Sequence, residues 1–222
     1  SSPSAQPDKS YPYYGQSNRV WTVRGGFPGT GLDSDRLGGE AAAAPCAGQD
    51  GWSKALYFYD DIIDPAAVCR DSTDGVQYSF AWLDCPDSAA VQLWIGSGQE
   101  MSVWLNGVRV YRYSGAARTH YLPNTVVDAV VKKGLNRILV KTVQRNGVST
   151  FSLNVCESEK DSRYAGNRLS GAKFLASTEP ERLPGDCNGD SKTDVFDLLA
   201  LLKIISGAQA PGHSSGEAMA AM

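Results

Sequence analysis

The sequence predicts a mainly β chain, an antiparallel β-sandwich of the jelly-roll kind followed by a small C-terminal calcium loop and helix. Three observations carry this. From Val20 to about Glu157 the apolar residues recur with period two, the spacing of half-buried strands. Glycine turns, two of them Asn-Gly, separate the runs. Near the C-terminus an oxygen-rich loop runs straight into an apolar helical stripe.

Taken in order, residues 1–18 (SSPSAQPDKSYPYYGQSN) are small, polar and Pro-rich and read as an extended arm, of the kind left after a signal peptide is removed. A first strand begins at Val20. Residues 24–53 hold 8 Gly and 2 Pro and read as a long irregular stretch, which needs staples or a functional role. KALYFYD (54–60) and GVQYSFAWLDC (75–85) are β-branched and aromatic. AAVQLWIG (89–96), MSVWLNGVRVYRY (101–113), TVVDAVV (125–131), NRILVKTV (136–143) and STFSLNV (149–155) alternate or run apolar. Asn106-Gly107, Lys133-Gly134 and Asn146-Gly147 mark turns between them. Seven or eight such strands fit a sandwich of 19–157. Residues 158–184 read as a linker anchored by Tyr164, Leu169, Phe174 and Leu175. Residues 208–222 read as a tail.

The 222 residues carry 42% hydrophobic side chains, enough for one core of ordinary domain size plus an appendage. The net charge is −3 and no basic stripe stands out, so nucleic acid is not an expected partner. No apolar run reaches membrane-spanning length, so no membrane span is expected. Five cysteines stand at 46, 69, 85, 156 and 187 without a C-x-x-C pair. Scattered cysteines among Trp, Tyr and Gly suggest an oxidising compartment. Four cysteines allow three pairings. The expected one is Cys46–Cys69 with Cys85–Cys156, leaving Cys187 unpaired, and the alternative is buried thiols.

The block LWIGSGQEMSVWLNGVRVYRY and, further on, VVDAVVKKGLNRILVKTVQRNGVSTFSLNV resembles the galactose-binding-like jelly rolls appended to many secreted bacterial proteins. The likeness rests on VWLNG (103–107), KKGLNRILVK (132–141) and GFPGTGLDSDRLGGE (26–40), and covers residues 19–157. In the acidic turn of that family this chain has Ser97-Gly98-Gln99-Glu100, so the family's ion site does not transfer to that turn. The resemblance implies either carbohydrate binding or a structural role. For sugar the candidate stacking rings are Trp52, Tyr57, Tyr59, Tyr111 and Tyr113; Trp94 and Trp104 sit in strands and read as core.

The C-terminal loop is numbered from Asp186. Oxygen donors fall at positions 1 (Asp186), 3 (Asn188), 5 (Asp190), 9 (Asp194) and 12 (Asp197), and Lys192 at position 7 offers its carbonyl. Alternate residues turned inward around a hard cation make this the template for Ca2+. The ordinary reading of such a stretch is an Asx-rich turn capping a helix, and five donors in register argue against it. With VFDLLALLKIISG behind it, residues 185–207 resemble one repeat of a type I dockerin. Ser191 stands where the family has Gly, and one copy is present where cohesin-binding dockerins carry two. Val195, Leu198, Leu199, Leu202 and Ile205 share one helical face, with Leu201 and Ile204 beside it. A helix so apolar needs a partner, and these seven residues are the expected interface.

Three functions are weighed. The favoured one is a secreted, non-enzymatic, calcium-binding assembly protein that self-associates into an extracellular fibre or matrix as a homo-oligomer or filament. The second is a carbohydrate-binding accessory protein, with a polysaccharide or glycan as ligand, anchored to a cohesin-like scaffold or cell surface. An enzyme is the least favoured. Only His120 and His213 are present as histidines, no hydrolase or phosphate-loop motif appears, and Asp60, Asp61 and Asp64 read as a strand end and turn. No N-x-[ST] sequon occurs, so any attached glycan would be O-linked.

Overall fold

The computed structural model describes residues 18–58, 60–69, 74–158 and 169–177, together with 195, 198, 199 and 202. The chain divides into two compact units, Ser1–Thr178 and Glu179–Met222.

The first unit is almost wholly antiparallel β. Its strands are β1 (Val20–Pro28), β2 (Leu56–Tyr57), β3 (Gly75–Cys85), β4 (Ala89–Ser97), β5 (Met101–Leu105), β6 (Val108–Tyr113), β7 (Thr125–Val131), β8 (Gly134–Gln144), β9 (Phe151–Glu157) and β10 (Lys173–Leu175). A short helix, α1 (Pro65–Cys69), and a single 3-10 turn at Glu40–Ala42 are the other elements among the described residues of this unit. The larger sheet runs β2-β1-β3-β8-β5-β6, with β10 also paired to β3, and the smaller runs β7-β4-β9. Residues 173–175, expected within a linker, therefore extend the larger sheet, and Phe174 is buried in the core.

Period two has a direct structural meaning. Val91, Leu93 and Ile95 of β4 and Phe151, Leu153 and Val155 of β9 point one way, into the same apolar cluster as Ala81 and Leu83 of β3, Val103 of β5 and Ile138 and Val140 of β8. The cluster joins the inward faces of both sheets, and Trp21 closes it edge-on against Phe151 at 5.1 Å between ring centres. A second cluster lies on the outward face of the larger sheet. It gathers Val76, Tyr78, Phe80, Trp104, Leu139 and Val143 beneath Leu32 and Trp52 of the long 29–53 segment.

The turns obey the backbone chemistry of their residues. Asn106 and Gly107 both take positive φ, 51° and 87°, and join β5 to β6 as a hairpin. Asn146 and Gly147 do the same at 50° and 78° inside the Arg145–Val148 bridge, where β8 leaves one sheet and β9 enters the other. Lys133-Gly134 is no hairpin: β7 belongs to the smaller sheet and β8 to the larger, so the chain crosses between layers there.

The cysteine pairing expected from the sequence is corrected. Cys46, Cys85 and Cys156 are thiols, so neither pair is formed. Strand parity explains one case. Cys85 ends β3 inside the shared core, whereas Cys156 follows Ser152 and Asn154 on the outward face of β9, so the two sulfurs point into different layers. In the other case, Cys46 is exposed in the 43–53 loop, and Cys69 on α1 packs against Gly25 of β1. Burial pushes the thiols up, Cys85 to about 11 and Cys156 to about 12, with Asp84 and Glu157 adding to each. They are inert, apolar-behaving side chains.

Candidate functional site

The expected metal ligands Asp186, Asn188, Asp190, Lys192, Asp194 and Asp197 lie outside the described residues, as do Leu201, Ile204 and Ile205 of the expected interface. The other four interface residues are described. Val195, Leu198, Leu199 and Leu202 are helical and expose between 48% and 61% of their surface. Spacing of three and four residues puts them on one side of a helix. Among the described residues no group of three His, Cys, Asp or Glu is placed to hold a metal ion.

The aromatic candidates do not share one platform. Trp52 is buried in the outward cluster of the larger sheet, 6.3 Å from the ring of Phe80. Tyr57 is 71% exposed on β2, at one edge of the larger sheet. Tyr111 and Tyr113 lie on β6 at the opposite edge, five strand spacings away, or about 24 Å. The Arg118 guanidinium sits 3.6 Å over the Tyr113 ring and donates to the Tyr111 hydroxyl at 2.8 Å. One face of Tyr113 is thus occupied by a cation. Tyr59 lies outside the described residues. Trp94 and Trp104 are both buried, as expected, but on outward sheet faces rather than between the sheets.

The carboxylates near residue 60 are engaged structurally. Asp61 pairs with Arg19 at 2.8 Å, and that hydrogen bond raises the Arg19 guanidinium above its ordinary value. Asp60 accepts from the Asp61 amide, and Asp64 accepts from the Ala66 amide at the start of α1.

Two further constellations organise the surface. On the larger sheet, Lys141 of β8 is fully buried. Its ammonium donates to the carbonyls of Leu32 and Ser34 at 2.7 Å each and to Glu40 at 2.6 Å. The Tyr78 hydroxyl donates to the same Glu40 carboxylate at 2.7 Å; burial, then Glu40, drives its pKa well up. Asp35 caps the adjoining turn. Burial alone would raise its carboxyl, but the amides of Leu37, Glu40, Gly38 and Gly39 hold it below the ordinary value. The staple of the 29–53 segment is therefore a buried ion pair and a hydroxyl, where the sequence suggested a disulfide.

On the smaller sheet, the 114–124 segment folds back over Gly96. A Cβ there would collide with the Tyr121 carbonyl oxygen and the Ser152 hydroxyl, so only glycine admits this path. His120 is hydrogen-bonded through Nδ1 to Thr150 at 3.1 Å and through Nε2 to Ser152 at 3.0 Å. Burial, helped by Arg118, pushes its pKa down to about 4, so the ring is neutral at neutral pH. A neutral imidazole clamped by two hydroxyls is a fastener; no carboxylate orients it as a base. Sequence pattern missed both constellations because their partners stand 101 residues apart for Lys141–Glu40 and 32 for His120–Ser152.

No family model and no curated protein matches the sequence. Solved structures share part of its backbone. The PA14 domain of the antifreeze protein MpAFP superposes with a TM-score of 0.37 at 14% identity, covering 49% of this chain and 55% of that one. A β-glucosidase from Kluyveromyces marxianus gives 0.42 at 9%, covering 64% and 17%. A β-glucuronidase from an uncultured Clostridium species gives 0.41 at 15%, covering 64% and 29%. The chain thus covers between 17% and 55% of the length of these proteins.

Proposed function

We propose that this chain is a secreted, non-enzymatic subunit of an extracellular assembly, in which the sandwich is a rigid spacer and the C-terminal loop and helix are a calcium-dependent joint between copies. The observation that carries the reading is the helical row Val195, Leu198, Leu199 and Leu202, each about half exposed or more. A contiguous aliphatic row on a surface marks a contact, and a second copy brings the same row to meet it. Asp186, Asn188, Asp190, Asp194 and Asp197, with the Lys192 carbonyl, would hold Ca2+ and set the helix start. Extracellular modules of this type bind calcium at about 10⁻⁴–10⁻³ M, which suits a joint filled outside the cell. In this reading the sandwich is a galactose-binding-like jelly roll and the C-terminal module is a single dockerin-like repeat. Engagement of Asp60, Asp61 and Asp64 in local structure supports the non-enzymatic part.

The test is sedimentation of the full chain in millimolar calcium and after chelation. Assemblies that dissociate on chelation, and that fail to form with Asp190→Ala, are expected. A monomer in calcium, or an assembly indifferent to chelation, would overturn the reading. Glycan binding by the sandwich is a second reading, favoured by the exposed ring of Tyr57. It predicts glycan-array binding that Tyr57→Ala abolishes.

A further inference from the structure

Two turns of the sandwich share one local sequence, Asn106-Gly107-Val108 and Asn146-Gly147-Val148. Their backbones match as well: the asparagines take φ of 51° and 50°, and the glycines 87° and 78°. An asparagine before glycine is chemically labile. The side-chain amide lies one ring closure from the next backbone nitrogen, and glycine has no side chain to shield that nitrogen.

The fold treats the two pairs differently. The Asn106 side chain donates through Nδ2 to Asn136 at 2.8 Å, and its Oδ1 accepts from the Arg137 amide at 3.0 Å. Gly107 lies beneath the 41–43 turn: a Cβ there would stand 2.5 Å from the Ala41 carbonyl oxygen. Asn146 is exposed. Its backbone amide donates to Asp74 at 2.8 Å, and its side-chain amide has no hydrogen-bond partner among the described residues. Nothing lies within 4 Å of the Cβ position of Gly147.

We propose that Asn146 is a site of spontaneous deamidation from which the fold spares Asn106. The Gly147 nitrogen gives its proton to hydroxide and attacks Cγ of Asn146. A C–N bond forms there, the bond to the side-chain nitrogen breaks, and that nitrogen takes a proton from water and leaves as ammonia. Water then opens the cyclic imide at either carbonyl, giving aspartate or iso-aspartate. The sum is one water consumed and one ammonia released, with no oxidant. The attack needs the side chain to swing over the glycine nitrogen as the turn opens. At Asn106 that motion breaks two side-chain hydrogen bonds; at Asn146 it breaks none.

The position gives the change a structural consequence. Asn146 stands inside the Arg145–Val148 bridge, where β8 hands the chain to β9. Iso-aspartate routes the backbone through the side chain and lengthens it there. Just beyond, Ser149 is fully buried with its hydroxyl donating to Gln77, and Phe151 bridges to Ile63. Either product also sets a new carboxylate beside Asp74, while Arg145 is already paired with Glu100 at 2.7 Å. The proposal is independent of the calcium joint.

The test is to age the full chain at mildly alkaline pH and follow each asparagine by peptide mass spectrometry. The map also separates Asn188-Gly189, which lies outside the described residues. In the folded chain Asn146 is expected to convert at least about tenfold faster than Asn106, the effect of two hydrogen bonds on the opening step. In urea the two should convert at similar rates, because their neighbours in sequence match. A folded-state ratio near one, or a ratio as large in urea as in the native chain, would overturn the proposal. Hydrogen exchange across 148–152 should quicken in the aged wild type and not in equally aged Asn146→Gly, which keeps the turn and lacks the amide. Equal quickening in both would remove Asn146 as its cause.

Discussion

The two outward faces of the sandwich are both covered, by opposite means. The larger sheet's cover, residues 29–53, is held by charge: the Lys141 ammonium, with no exposed surface, is shared among Glu40 and two carbonyls above an apolar cluster. The smaller sheet's 114–124 cap is fastened to Ser152 and Thr150 by a neutral His120, with Arg118 tied to Ser97 and Tyr111 at its margin. A charge withdrawn from water has no good alternative partner, so the first cover is all-or-none. Neutral hydrogen bonds trade nearly evenly with water, so the second can open by itself.

The largest test of this difference is Lys141→Met. Removing one partner of a buried pair strands the other, and a loss of about 3–5 kcal/mol in urea unfolding is expected. Adding Glu40→Gln should recover a substantial part of it. A loss below about 1 kcal/mol would mean that the pair is no more than a surface bridge. Next comes Gly96→Ala, expected to cost about 1–3 kcal/mol through overpacking against Tyr121 and Ser152. Hydrogen exchange should quicken across 114–124 and stay slow across 29–53. Faster exchange in both covers would erase the distinction. Arg118→Ala removes a cation from over the Tyr113 ring and should cost about 1 kcal/mol, with the fluorescence of that edge altered and the larger sheet untouched.

The last test is one of pH. His120 has a folded pKa of about 4 against an ordinary 6.5, so on acidification the unfolded chain takes up the proton first. Its contribution is present above pH 6.5 and lost as pH falls through that window to about 4. The melting temperature of the wild type should fall more steeply over this range than that of His120→Asn. Parallel curves would remove His120 as the pH-sensitive fastener.

Much of the fold was legible because strand periodicity is local. GVQYSFAWLDC (75–85) and TVVDAVV (125–131) coincide with β3 and β7 to the residue. The two Asn-Gly turns follow from the positive φ those residues tolerate. Other readings failed where the partner is remote. Nothing within NRILVKTV marks Lys141 as buried, because Glu40 and the Leu32 carbonyl that hold it come from 101 and 109 residues away. Cys85 and Cys156 looked pairable until parity and sheet assignment put their sulfurs in different layers. Tyr57, Tyr111 and Tyr113 were all candidate stacking rings, and strand order sets Tyr57 at the opposite edge from the other two.

By itself, then, the sequence determined which segments are strands and where the chain must turn, because each depends on neighbours within a few positions. Only the tertiary structure decided which strand faces are covered, and that one cover is held by a buried ammonium and the other by a neutral imidazole. Those outcomes depend on what arrives from 30 to 100 residues away, as in Lys141–Glu40 (101) and His120–Ser152 (32), and alternation cannot encode the identity of a distant partner.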